Sequence, residues 1–129
     1  MAARHGSTTT PWSRLGAQPD DQPTPVLPEG GSVAILGGGS SGLVCAKHLL
    51  EAGYTVTIYE RTDAIGGAFV HKAYDQSRLV SSKYLTPFSD LRASPTDPPH
   101  VSLPAYVEYL EAYAKRFKLD KRIMFNAHV

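Results

Sequence analysis

The stretch from Val33 to Glu60, VAILGGGSSGLVCAKHLLEAGYTVTIYE, constrains this chain more than any other. A short apolar run, Ser32–Leu36, meets three glycines, two serines and a further glycine, after which a helical pattern takes over. The run reads as a buried strand. From Ser41 to Ala52, Leu43, Ala46, Leu49 and Leu50 recur at helical spacing, and Gly53 stands where a C-terminal cap belongs. Thr55–Tyr59 is β-branched and aromatic, so a second strand is expected there. Strand, helix and strand in so short a span make a βαβ unit with parallel strands and, almost always, a right-handed crossover.

Gly37-Gly38-Gly39-Ser40-Ser41-Gly42 fits G-x-G-x-x-G, directly after the first strand and opening the helix. Gly37 would permit the tight turn, Gly39 would leave room for a pyrophosphate, and Gly42 would let the helix lie close to the strand. Free N–H groups and a partial positive charge at the helix start suit a diphosphate, and the hydroxyls of Ser40 and Ser41 can donate to it. Glu60, at the end of the second strand, lies at about the distance the dinucleotide fingerprint asks for. A carboxylate there accepts from both ribose hydroxyls of an adenosine and repels a 2′-phosphate. FAD or NAD is therefore expected in preference to NADP.

Two rival readings use the same letters. A glycine turn can serve packing alone, which leaves Glu60 unexplained. Gly38-Gly39-Ser40-Ser41-Gly42 also satisfies G-x-S-x-G, the nucleophile elbow of a serine hydrolase with Ser40 as nucleophile. Asp90, His71, His100 and His128 supply triad partners on paper. Such an elbow normally sits deep in a larger sheet, not at the first strand of a short chain, and Glu60 again has no role.

The rest of the chain gives fainter signals. Residues 1–31 are rich in Pro, Thr, Ser, Gln and Gly without apolar periodicity, and read as a disordered tail before a folded domain at 32–129. Ala68–Val80 reads as strands and turns, and RASPTDPPH as a loop. A helix is expected from Ser102 or Leu103, with Pro104 in its first turn. Tyr106, Leu110, Tyr113 and Phe117 mark its inner face, beside Val107 and Ala114, and Tyr109 is read with them as core. Ile123-Met124-Phe125 reads as a third strand. The fold class is thus α/β, a Rossmann-like βαβ unit with an incomplete parallel sheet and a disordered N-terminal tail.

At 129 residues and a net charge of +1, the chain shows no basic cluster of the kind nucleic acid needs, and no apolar run of bilayer length. The single cysteine, Cys45, cannot form an internal disulfide, which suits a reducing compartment, and a cytoplasmic location is expected. Cys45 itself is expected to be packed. The five histidines have no ligand spacing, so no metal site is assigned. Lys83 and Asp90 are expected to pair or to cap a turn.

After Glu60 the chain continues Arg61-Thr62-Asp63-Ala64-Ile65-Gly66-Gly67. Strand, GxGxxG, helix, strand, Glu and a glycine pair together resemble the FAD-binding start of two-dinucleotide flavoproteins, which favours FAD over NAD. SKYLTPFSDL (Ser82–Leu91), LPAYVEYLEAYAKRF and IMFNAHV extend the likeness, so that Val33–Val129 resembles the N-terminal part of flavin-containing monooxygenases. The resemblance implies that Gly37, Gly38, Gly39, Ser40, Ser41 and Gly42 hold the FAD diphosphate. It implies Glu60, with Arg61 beside it, at the adenosine ribose, and Gly67 to Phe69 along the cofactor. The family commonly has Trp at the place of Phe69, and an Asn before the Ser-Lys pair where this chain has Ser81.

The implied reaction is reduction of FAD by NADPH, addition of O₂ to give a flavin hydroperoxide, and oxygenation of a small soft nucleophile such as an amine or thioether. No catalytic residue is assigned. A second G-x-G-x-x-G for NADPH does not occur in these residues, and Glu60 makes the visible site a poor one for it. A truncated domain is expected, whether one half of an enzyme completed by a second chain, or a non-catalytic FAD- or NAD-binding module or relict.

Overall fold

The computed structural model of the chain describes residues 28–72, 74 and 76–129. Most of the expected tail lies outside the described residues. Its last four residues form a turn in which the Gly31 N–H donates to the Pro28 carbonyl at 3.1 Å, and the Gly31 carbonyl accepts from Thr55 N–H at 3.0 Å. The chain then enters β1 (Ser32–Leu36), runs through α1 (Ser40–Glu51) and returns along β2 (Thr55–Tyr59). A short helix α2 (Ala68–His71), an irregular segment and α3 (Leu103–Arg116) lead through a 3-10 turn at Asp120–Arg122 into β3 (Ile123–Met124).

The strands are parallel in the order β1-β2-β3, as the βαβ pattern requires. Val33 lies opposite Val56, Ile35 opposite Ile58, and Ile58 opposite Ile123. Side chains alternate across a strand, so these five share one face. There Val56 and Ile58, with Ile35 and Ile123 packed against them, join Leu43 and Ala46 of α1 and Leu110, Tyr113 and Ala114 of α3 in the core. Ala34, Leu36 and Met124 belong to the opposite face and are exposed. The sheet is the short parallel one expected, three strands among the described residues, with α1 and α3 packed on one face.

Both long helices end in the same hydrogen-bond pattern, reached by different residues. After α1, Gly53 takes φ +87° while its N–H donates to Leu50 and Tyr54 N–H donates to Leu49. After α3, Lys118 takes φ +57°, its N–H donates to Lys115, and Leu119 N–H donates to Ala114 at 2.8 Å. Lys118 carries a Cβ into a left-handed conformation, and the full burial of Leu119 holds it there. At the other end of α3, where the start was expected at Ser102 or Leu103, Ser102 is the N-cap and its Oγ accepts from Ala105 N–H at 3.3 Å.

Some boundaries differ from expectation. α1 begins at Ser40 and ends at Glu51, within the fraying of helix ends. β3 pairs with β2 through only Ile123 and Met124, leaving Phe125 outside the ladder. In place of strands and turns, residues 68–80 contain α2 and then a bridge between Arg78 and Ser102; Ala73 and Asp75 lie outside the described residues. Cys45 is exposed, correcting the expectation that it packs inside. It stands two residues after the buried Leu43, about 200° around the helix, on the side facing away from the core.

Candidate functional site

Between Leu36 and Ser40 the chain must reverse from strand to helix in three residues, all glycine. Gly37 takes φ +107°, a region that side chains rarely enter, and its N–H donates to the Tyr59 carbonyl at 2.8 Å. A Cβ on Gly42 would come within 2.0 Å of the Gly37 carbonyl oxygen, so the first turn of α1 rests directly on the strand end. Gly39 differs from both. Its φ of −83° is open to any residue, and a Cβ there would meet no atom within 4 Å. Packing does not require a glycine at this position; its bareness leaves space beside the backbone. Gly39 is also the N-cap of α1 and supplies no side-chain cap, so the positive end of the helix faces that space.

The second glycine pair forms the opposite wall. Gly66 N–H donates to the Gly38 carbonyl at 3.2 Å, and a Cβ on Gly67 would lie 3.9 Å from Gly39 Cα. Gly67 takes φ +55° on its way into α2. Between the walls runs a groove of about 320 Å³, lined by both glycine segments, Ser40, Ser41 and Phe69. Phe69 meets Tyr106 edge-on, with ring centroids 4.9 Å apart and planes at 82°. Burial pushes the Tyr106 hydroxyl up from its ordinary pKa, and a hydrogen bond with the Ser40 side chain offsets part of that.

Glu60, at the end of β2 behind the glycine turn, is only 4% exposed. Its Oε2 accepts from Gly38 N–H at 2.7 Å. Its Oε1 accepts from Thr62 N–H at 2.9 Å and from the Thr62 hydroxyl at 2.8 Å. Burial alone would raise the carboxyl pKa, but these bonds and the nearby Arg61 charge outweigh it and hold the group below its ordinary range. Glu60 is therefore a charged acceptor at neutral pH. Glu60 lines a second cleft, of about 410 Å³, which shares Leu36, Gly37, Gly39, Gly67 and Ala68 with the groove, so the two adjoin. Tyr59, Arg61, Thr62, His71 and Ala127 are also among its lining.

Ten of the eleven residues expected at a cofactor meet here: Gly37, Gly38, Gly39, Ser40, Ser41, Gly42, Glu60, Arg61, Gly67 and Phe69. Ser81 does not. It is exposed, shares a 2.6 Å hydrogen bond with Thr86, and lines neither cleft.

The rival triad is not assembled around Ser40. Asp90 is committed to Lys47 at 2.8 Å and accepts from the Tyr113 hydroxyl at 3.2 Å, while His100 Nδ1 contacts the Leu79 carbonyl. The Lys47 ammonium, which also reaches Glu51, holds the Asp90 carboxyl below its usual range. Burial, followed by the Asp90 charge, pushes the Tyr113 hydroxyl up to about 12. Lys83 does not pair with Asp90. Its ammonium donates to the carbonyls of Pro95 (2.6 Å) and Asp97, which caps the loop at 94–97. Thr62 and Lys47 are the polar partners that sequence reading missed. Neither belongs to a spacing motif, and only the fold brings them to Glu60 and Asp90.

A glycine turn between parallel strand and helix, with a carboxylate at the end of the next strand, defines a nucleotide-binding fold of the Rossmann type. The family model described as FMO-like, flavin-binding monooxygenase-like, matches residues 30–129, and the chain belongs to that family of flavin-dependent oxidoreductases. It is 46% identical over 104 residues to the monooxygenase cfoE of Aspergillus candidus, a match covering 75% of this chain and 18% of the relative. It is 36% identical over 102 residues to a probable flavin-containing monooxygenase 1 of Arabidopsis thaliana, again 75% of this chain and 18% of the relative. The chain thus spans about a fifth of the length of the curated relatives it matches.

Among solved structures, an oxidized steroid monooxygenase bound to NADP aligns with a TM-score of 0.64 at 26% identity, over 74% of this chain and 19% of that one. A cyclohexanone monooxygenase mutant from Rhodococcus sp. Phi1 bound to NADP+ aligns with a TM-score of 0.67 at 25% identity, with the same coverage. FAD and NADPH are the redox pair of this family. Among the described residues no helix is long and apolar enough to cross a membrane, and no cluster of three or more His, Cys, Asp or Glu could hold a metal.

Proposed function

We propose that this chain is the FAD-binding part of an NADPH-using monooxygenase that oxygenates a small soft nucleophile, an amine or thioether. The observation that carries the reading is Gly39. It is a glycine that neither backbone conformation nor packing demands, and it faces an open groove at the positive end of α1. A diphosphate fits that groove, with the N–H groups of the first helical turn and the hydroxyls of Ser40 and Ser41 as donors. Glu60 and Arg61 then meet the adenosine ribose in the adjoining cleft, and Gly67 and Phe69 lie along the cofactor. Ser81 would have to give up its bond to Thr86 to take part, so it stands outside the proposed site.

FAD, when bound, supplies the redox chemistry of oxygen transfer. The chain's own residues bind and orient it. NADPH is proposed to bind elsewhere in the assembled enzyme, because the charged Glu60 disfavours a 2′-phosphate in this cleft. The open face of the sheet is where further protein would pack, from the same polypeptide or from a second chain.

The test is a visible absorbance spectrum of the purified chain after incubation with FAD and desalting, followed by NADPH under air. Retained flavin is expected, and NADPH oxidation would separate a catalytic unit from a binding module. A folded circular-dichroism spectrum without retained flavin would overturn the FAD assignment for this chain.

A further inference from the structure

The proposed ribose site has a feature that its glycines do not supply, and it rests on the adenosine reading above. A carboxylate offers about four acceptor positions, two on each oxygen. Glu60 Oε1 already takes two donors, the Thr62 N–H at 2.9 Å and the Thr62 hydroxyl at 2.8 Å. Oε2 takes one, the Gly38 N–H at 2.7 Å. One position remains, on Oε2. We propose that Thr62 sets the specificity of this site: by filling Oε1 it leaves Glu60 able to accept from one ribose hydroxyl and not from two.

This revises the expectation that the carboxylate accepts from both. The Thr62 hydroxyl has a single proton and also lies 3.2 Å from the Ala64 carbonyl, but the shorter contact to a charged acceptor holds it on Glu60. Thr62 acts through Glu60 and not on the ligand, so it is a positioning residue. The same bonds favour the charged carboxylate despite its burial, which keeps the remaining acceptor strong.

The test titrates the full chain with ADP, 2′-deoxy-ADP and 3′-deoxy-ADP by calorimetry. Wild type is expected to bind one deoxy analogue about tenfold more weakly than ADP, the effect of one lost charge-assisted hydrogen bond, and the other like ADP. Thr62→Val keeps the shape and opens a position on Oε1, so both analogues should then bind more weakly than ADP. Thr62→Ser should restore the wild-type pattern. The proposal is overturned if wild type loses affinity for both analogues or for neither, or if Thr62→Val behaves as wild type. Absence of ADP binding by wild type would overturn the adenosine reading along with it, so the two failures are distinct. The wild-type comparison decides the matter even if Thr62→Val does not fold.

Discussion

On the covered face of the sheet Val56 and Ile58 are 1% and 0% exposed, whereas on the opposite face Leu36 and Met124 are 67% and 53% exposed. The strands are the same and the alternation is the same. What differs is that α1 and α3 each present an apolar stripe to one side, while the other side keeps Thr57 and Tyr59 only half-buried and leaves Leu36 and Met124 exposed. The covered face therefore fixes where α1 starts, and α1's start forms the wall of the groove. The groove therefore depends on the well-packed side of the molecule even though it opens at the rim.

The sharpest way to break this comparison is to truncate one leucine on each face. Leu110 on α3 is fully buried, so Leu110→Ala should cost about 2–5 kcal/mol in chemical denaturation. Leu36→Ala, on the open face, should stay within about 0.5 kcal/mol. Equal costs would mean that the two faces are equally packed.

A smaller loss is expected at the contact between α1 and β1. Gly42→Ala places a methyl 2.0 Å from the Gly37 carbonyl oxygen, and the neighbour that must yield is backbone. A cost of about 1–3 kcal/mol is expected, with weaker FAD binding because the groove wall moves. An unchanged melting curve would show that α1 does not rest on the turn.

The rim can be probed by acid. Glu60 titrates below its ordinary value of 4.5 in the folded chain. Its stabilising contribution is therefore fully present above pH 4.5 and is lost as pH falls through the folded value. Glu60→Gln should flatten the stability profile in that acid window relative to wild type. Parallel profiles would mean that the hydrogen bonds to Glu60 do not favour its charged form.

The smallest effect is a gain. Lys118→Gly relieves a left-handed residue at the end of α3 and should add about 1 kcal/mol, against which the loss of side-chain restraint in the unfolded chain works. A loss of stability in thermal melts would contradict the strain assigned to Lys118.

The elements built from local patterns were legible in advance. β1, α1 and β2 follow from an apolar run, a helical period and a β-branched run, and Gly37, Gly39 and Gly42 each have the surroundings that their spacing implied. Ser102, Pro104 and the Tyr106–Phe117 face likewise carry their signals in neighbouring residues. Features made by distant contacts were not legible. The Lys118 closure lacks the glycine that usually marks it, and burial of Leu119 stands in for the missing signal. Cys45 looked like a packed residue by type, but its angle around α1 turns it outward. Thr62 belongs to no spacing motif, and only the fold brings its N–H and hydroxyl to Glu60 Oε1. Ser81 was matched by its place in the chain, and the fold carries it away from the groove.

The central claim, that the groove at Gly39 takes the diphosphate of FAD, is tested most directly by Gly39→Asp. The backbone there accepts a side chain, the space is empty, and Asp is a favoured N-cap, so the variant should fold at least as stably as wild type. Its carboxylate would stand in the groove and repel a phosphate. Flavin titration should show FAD binding weakened at least about tenfold, with the melting temperature equal or higher. Wild-type FAD affinity in a stably folded Gly39→Asp would contradict the claim.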